Sequence, residues 1–247
     1  MKSETRPTGA PYRGWEYARR GDYHRNLDPN WSYAPTYLQK MKWVRKYIDE
    51  LSMTTRILDA GCGEGVLVED YSKAGRHIEG LDLNYSSEYV RQGNLLNIPY
   101  ATNHFDVVLL LDVIEHIAFP DQPLVLQEIH RVLRPDGGLI VSIPNLAHLN
   151  SRVAFALLGR LHRTDNVLNH VGERPLSENR SLLIGNGFQI ERCIGVTLTV
   201  PLLYRLIAHF AANLRWLHDL MEPLAVPSLS MLNVFYCRAT NQKTDSQ

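Results

Sequence analysis

The stretch that decides the fold is Ile57-Leu58-Asp59-Ala60-Gly61-Cys62-Gly63-Glu64-Gly65. An apolar start, an acid and three alternating glycines read as a strand turning sharply into a helix, Val66 to Ala74, with Gly75 as its stop. Glycines in such a turn let the backbone approach a ligand and let strand and helix pack closely. The spacing is not the G-x-G-x-x-G of dinucleotide sites. Asp59 and Glu64 would repel the anion that a bare helix N-terminus attracts. An uncharged or cationic ligand with an amino group fits better.

Working outward, Ile78 to Leu83 reads as a second strand. Phe105 to Leu111 is a continuous apolar run, as expected of a strand buried on both faces. Pro123 to Leu133 is an amphipathic helix, followed by the turn signal Arg134-Pro135-Asp136-Gly137-Gly138 and a further buried strand, Leu139 to Ile143. Alternating strands and helices predict an α/β domain with a doubly wound, mostly parallel sheet. Asp82, 23 positions after Asp59, ends the second strand, where a carboxylate can accept both hydroxyls of a ribose. If Tyr89 to Gly93 is the third strand, the six residues 83–88 reach at most about 20 Å, too little for a crossover helix. The sheet face left bare there needs cover from the insertion at 195–231, the N-terminal arm or another subunit.

Before this core, residues 1–34 are polar and aromatic, with Trp15, Tyr17, Tyr23, Trp31 and Tyr33. They read as an arm, and with the helix that starts at Pro35 they make a cap over 1–50 ahead of the core at 51–247. The aromatic rings either pack on the core or face a cationic ligand. Residues 145–175 read as a helix plus a lid. Phe188 to Ile194 and Leu232 to Ala239 alternate like strands, and the 195–231 segment between them is too long for a hairpin. Its stripe Leu203, Ile207, Phe210, Leu214, Leu217 and Met221 predicts one helix with an apolar face.

The 247 residues carry 26 basic and 26 acidic side chains, which disfavours nucleic-acid binding by charge. Three cysteines without a Cys-x-x-Cys pair, and an N-terminus with no apolar leader, point to a reducing, cytoplasmic setting. The most apolar window, Val196 to Leu214, holds Arg205 and His209, which disfavours a transmembrane helix and leaves peripheral membrane contact open. No cluster of metal-ligand spacing is evident, so no metal is assigned.

Three further blocks complete the pattern: Gly93-Asn94-Leu95-Leu96-Asn97-Ile98-Pro99-Tyr100, Asp112-Val113-Ile114-Glu115-His116, and Ser142-Ile143-Pro144-Asn145. Their order, over about residues 50–195, resembles that of class I S-adenosylmethionine-dependent methyltransferases. It resembles most the ubiquinone O-methyltransferase group and the methyltransferases that accompany glycan assembly enzymes. The resemblance implies a Rossmann-like seven-stranded sheet whose last strand is antiparallel. It implies S-adenosylmethionine as cofactor, with Gly61 and Gly63 under its methionine and ribose portions. Asp59 would lie toward the methionine ammonium, Asp82 on the ribose hydroxyls, Asn94 and Leu95 at the adenine, and Asp112 at the methionine end. Asn94 stands where the family often has Asp, so only its amide oxygen can accept from the adenine amino group.

His116 and a later isolated His170 are the candidate catalytic bases, since imidazole titrates near neutral pH. Each has a plainer reading, His116 in a helix-start cap and His170 on the lid surface. The implied reaction is methyl transfer to a small-molecule, lipid-linked or glycan-linked acceptor, on oxygen first. The rival is a catalytically silent protein of the same fold that binds the cofactor as a partner. The insertion helix is expected to cover the core or the acceptor pocket, or to pair across a homodimer.

Overall fold

The computed structural model describes residues 27, 31, 33–162 and 170–240. Trp15, Tyr17, Tyr23 and the middle of the expected lid lie outside these. Helix α1 (Ala34–Glu50) has Pro35 in its first turn, where a missing N–H costs nothing. It buries Met41, Val44 and Ile48 on one side. Strand β1 (Ile57–Ala60) is buried on both faces and turns at the glycine run into α2 (Val66–Lys73). Then follow β2 (Ile78–Asp82), β3 (Val90–Gln92), β4 (Phe105–Leu111), a 3-10 turn (Ile114–His116), α3 (Gln122–Val132) and β5 (Leu133–Pro144).

The second half holds α4 (Leu149–Leu158), α5 (Leu176–Gly185), β6 (Phe188–Leu198), α6 (Leu203–His209), α7 (Ala211–Met221), a 3-10 turn (Glu222–Leu224) and β7 (Ser230–Ala239). The seven strands form one sheet in the order β3-β2-β1-β4-β5-β7-β6. β7 runs antiparallel to both of its neighbours, and the other pairings are parallel. The mixed seven-stranded sheet with a reversed last strand is as the sequence implied. Apolar layers cover both faces. One gathers Leu58, Val108, Leu110, Leu126 and Ile129 under α3, and the other Val44, Ile48, Ile57, Val68 and Leu109 under α1 and α2.

Two local expectations are revised. The Arg134–Gly138 stretch is an irregularity inside β5, not a separate turn: Leu133 pairs with Phe105 and Gly138 with Val107. The insertion is two helices, broken at Phe210 (φ −115°, ψ 44°), not one. Its inner side chains lie over α1 and β6, with Ile207 buried, while Phe210 is 46% exposed.

β2 and β3 connect with no helix between them, as the short 83–88 segment predicted. The arm expected to cover this edge lies mostly outside the described residues. Gly80 N donates to Tyr89 O at 3.1 Å, which starts the parallel pairing of β3 on β2. A Cβ at Gly80 would lie 2.8 Å from Cys62 Sγ and 3.0 Å from Tyr89 O, so only glycine admits this approach. What remains is a largely polar cleft of about 450 Å³ bordered by Ser72, Glu79, Ser86, Arg91 and Tyr100.

Candidate active site

The functional residues collect at the carboxyl ends of β1, β2 and β4, where an open α/β sheet binds its ligands. Gly61 N donates to Leu81 O at 2.7 Å and ties the turn after β1 to β2. Gly63 holds φ +59°, and a Cβ built there would meet nothing within 4 Å. The glycine therefore serves the turn's left-handed backbone and leaves open space, where Gly80 serves packing. Asp82 lies beside that space. Its Oδ2 accepts from Gly63 N at 2.9 Å, and its Oδ1 accepts from Asn84 N at 2.8 Å and Tyr85 N at 3.2 Å. One carboxylate thus shapes both loops that border the open space.

Asp59 is 5% exposed. Burial pushes its carboxyl up to about 7, with Lys40 opposing and Asp82 adding to the rise. Asn94 is exposed and its Oδ1 accepts from Leu96 N at 2.9 Å, which fixes the amide oxygen toward the backbone. Leu95 is half-buried at the margin of the core. Cys62 sits inside the glycine turn, and burial pushes its thiol up, away from the reactive thiolate.

Asp112, just beyond β4, is the most heavily partnered acid of the site. It adopts φ +55°, an uncommon backbone for a residue with a side chain. The conformation is held by Ser142, whose Oγ accepts from Asp112 N at 2.9 Å and donates to Asp112 Oδ1. Lys40 Nζ donates to Asp112 Oδ2 at 2.6 Å, and Tyr33 OH donates to the same oxygen at 3.1 Å. Burial alone would raise this carboxyl, but the Lys40 ammonium and the three side-chain hydrogen bonds hold it below the usual range.

Lys40 and Tyr33 are the residues that sequence reasoning missed in this role. Tyr33 was counted only among the aromatics of the arm, and α1 was read as a cap. The ring of Tyr37 lies 5.3 Å from Lys40 Nζ, and Trp31 packs on both Tyr33 and Tyr37. Of the aromatic residues expected around a cationic ligand, Tyr37 lies instead against the ammonium of Lys40.

Beyond Asp112 the site continues into Glu115, His116 and His170. Glu115 is 1% exposed, and its Oε2 has no hydrogen-bond partner among the described residues. Burial first, and then the nearby Asp112 charge, push its carboxyl well above the ordinary range. His116 and His170 meet edge to face, with ring centroids 4.7 Å apart. The fold thus brings together the two histidines that the sequence placed 54 positions apart. Donor atoms of Glu115, His116 and His170 all lie within 4.8 Å of one another, close enough to share a proton or a small cation. No such cluster was legible from spacing. His170 Nδ1 lies 2.9 Å from Glu173 Oε1. Tyr33 feels Asp112, Glu115 and Tyr204 of α6, so the insertion reaches this end of the site.

Residues 58–141 match the methyltransferase domain family. A Mycolicibacterium smegmatis protein described as a probable S-adenosylmethionine-dependent methyltransferase is 36% identical over 57% of this chain and 54% of its own length. A ubiquinone biosynthesis O-methyltransferase of Actinobacillus pleuropneumoniae is 28% identical over 48% of this chain and 58% of its own. The chain therefore spans little more than half the length of these curated relatives. In fold, it is similar to a SAM-dependent methyltransferase from Archaeoglobus fulgidus, with TM-score 0.55 and 16% identity over 91% of this chain and 97% of that one. It is similar also to the PH0226 protein of Pyrococcus horikoshii, with TM-score 0.56 and 13% identity over 89% and 100%. Residues 58–141, which hold the glycine turn and the acids that end β1 and β2, thus match a methyltransferase domain, and the fold around them is similar to that of S-adenosylmethionine-dependent methyltransferases.

Proposed function

We propose that the chain transfers a methyl group from S-adenosylmethionine to an oxygen of a small-molecule, lipid-linked or glycan-linked acceptor. The observation that carries this reading is the open space at Gly63 with the Asp82 carboxylate beside it. The room left by a missing Cβ suits a ligand that passes over the turn, and Asp82 suits its ribose diol. Buried Asp59 and half-buried Asp112 suit an ammonium group, and Lys40 suits a carboxylate. The residues present fit the amino-acid and ribose parts of S-adenosylmethionine on those grounds.

When bound, S-adenosylmethionine supplies a methyl group already activated on sulfur. The chain's own tasks are then to align the acceptor and to take its proton. Asp112, held by Ser142 and Lys40, anchors the amino-acid end. Glu115, His116 and His170 border the acceptor side, and a basic cluster there supports an oxygen acceptor, whose hydroxyl must lose a proton. Exposed Leu206, Trp216, Leu220 and Leu224 on the insertion support an acceptor with an apolar or lipid part, or contact with a membrane surface. Among the described residues, no helix is long and apolar enough to cross a membrane.

Calorimetry with S-adenosylhomocysteine and with NAD tests the cofactor. Release of S-adenosylhomocysteine with a panel of phenols, catechols, sugars and polyprenyl-linked sugars tests the reaction. Binding of NAD in preference to S-adenosylhomocysteine would overturn the reading. Cofactor binding without turnover on any acceptor would favour a catalytically silent binding partner.

A further inference from the structure

Glu173 is a carboxylate buried in a segment that the fold holds rigidly. Gly172 N donates to Glu115 O at 2.8 Å, and Gln122 Nε2 donates to Gly172 O at 2.9 Å and to Ile114 O at 3.0 Å. Arg174 Nε donates to Gln122 Oε1 at 2.8 Å. A Cβ at Gly172 would lie 2.2 Å from both Gln122 Nε2 and Ile117 O, so the segment sits hard against the 3-10 turn that bears Glu115 and His116. Within it, Glu173 Oε1 lies 2.9 Å from His170 Nδ1, with side-chain exposures of 5% and 11%. His116 packs across the His170 ring with the two planes at 82°.

We propose that Glu173 is a positioning residue: it fixes the ring of His170 and its tautomer, so that Nε2 is the atom that takes the acceptor's proton. This rests on the methyltransferase reading above and deepens it by choosing between the two candidate histidines. An imidazole whose Nδ1–H is donated to a carboxylate carries its lone pair on Nε2. As the acceptor oxygen gains the methyl group, the carbon–sulfur pair stays on sulfur and the hydroxyl proton passes to Nε2. The resulting imidazolium is stabilised by the Glu173 carboxylate, and the extra proton leaves to water after product release. A buried carboxylate aimed at the far nitrogen of a base is the arrangement that directs a histidine in acyl-transfer triads. A relay through Glu115 is not needed, since burial favours the protonated form of that acid.

The test uses the full chain with ¹⁵N-labelled histidine. In the wild type the neutral His170 ring is expected as the Nδ1–H tautomer, with a downfield Nδ1–H proton resonance. Glu173→Gln should abolish that resonance and mix the tautomers, and Glu173→Asp should partly restore it. Binding of S-adenosylhomocysteine should stay within twofold in both variants. With whichever panel acceptor the wild type methylates, Glu173→Gln should lower kcat at least tenfold with KM little changed. An Nε2–H tautomer in the wild type, or a signature untouched by Glu173→Gln, overturns the proposal even if the variants melt early. Failure of the function reading looks different: the tautomer is as described, and S-adenosylhomocysteine does not bind.

Discussion

Lys40 and Asp112 stand 72 residues apart in the chain and meet at 2.6 Å, an ion pair that joins the first helix to the end of the fourth strand. Lys40 is 5% exposed and Asp112 23% at the side chain. Removing one partner of such a pair leaves the other charge short of solvent. Lys40→Met is expected to cost about 3 kcal/mol at neutral pH. The pH dependence follows from the lowered Asp112 carboxyl. Its stabilisation is present above the unfolded-state value and is lost as pH falls through the lower folded-state value. The gap between wild type and Lys40→Met in urea unfolding should therefore narrow toward strongly acid pH. A gap that stays constant would mean that the pair contributes packing and little charge.

Asp59 has the opposite sign. Its carboxyl is raised to about 7 by burial, so the folded chain holds a proton that the unfolded chain has released. Stability from this group is full below about pH 4 and is lost as pH rises toward 7. Asp59→Asn should flatten that part of the stability profile. If Asp59 faces the cofactor ammonium, binding favours its ionised form and releases a proton below pH 7. Affinity for S-adenosylmethionine should then rise with pH through this range in the wild type and not in Asp59→Asn. Calorimetry in buffers of different ionisation enthalpy reads the proton count directly.

Asp82 supports two loops and is proposed to hold a ribose. Asp82→Ala should weaken S-adenosylhomocysteine binding at least tenfold, since each lost charge-assisted hydrogen bond is worth up to roughly 1.5–3 kcal/mol. It should also lower the melting temperature, because Gly63, Asn84 and Tyr85 lose their acceptor. Asp82→Asn keeps an acceptor for Asn84 and Tyr85, so it should recover much of the stability while binding stays weak. Parallel recovery of both would assign Asp82 to the loops alone.

Ile207 and Phe210 belong to one apolar stripe in the sequence but to different environments in the fold. Ile207 is 4% exposed and Phe210 46%. Ile207→Asp is expected to cost roughly 3 kcal/mol through lost burial and an unpaired charge. Phe210→Asp should stay within about 1 kcal/mol and should act, if at all, on acceptor or partner binding. Urea unfolding of the two single variants separates the cases. Equal losses would place both side chains in the core.

The central strands and the glycine turn were legible because strands buried on both faces leave apolar runs, such as Val107 to Leu111, that no surface element shows. The place of Asp82 at the end of β2 was legible from the apolar residues that precede it, whereas its contact with Gly63 N was not. Lys40 and Tyr33 were not, because their partner is set by how α1 docks on the sheet, which no local pattern encodes. The break at Phe210 has neither glycine nor proline to announce it. The spacing of His170 and Glu173 was in plain view as His-x-x-Glu. It carried no meaning until Gly172 was seen locked against the turn that bears His116.

The direct passage from β2 to β3 also bears on the order in which the sheet assembles. Seven residues separate Asp82 from Val90, whereas Gly138 and Arg238, partners across β5 and β7, are 100 positions apart. Each doubling of a closed loop costs only about 0.6 kcal/mol of chain entropy, yet nearly four doublings separate these two closures. The β3 edge of the sheet can therefore form early, as a compact β1-α2-β2-β3 unit, while the antiparallel edge beneath the insertion closes late. Pulse-labelled hydrogen exchange during refolding should protect Leu81 and Arg91 before Phe235 and Ile194. The half of the molecule that holds the Gly61–Gly65 turn would then be built before the half that carries the insertion.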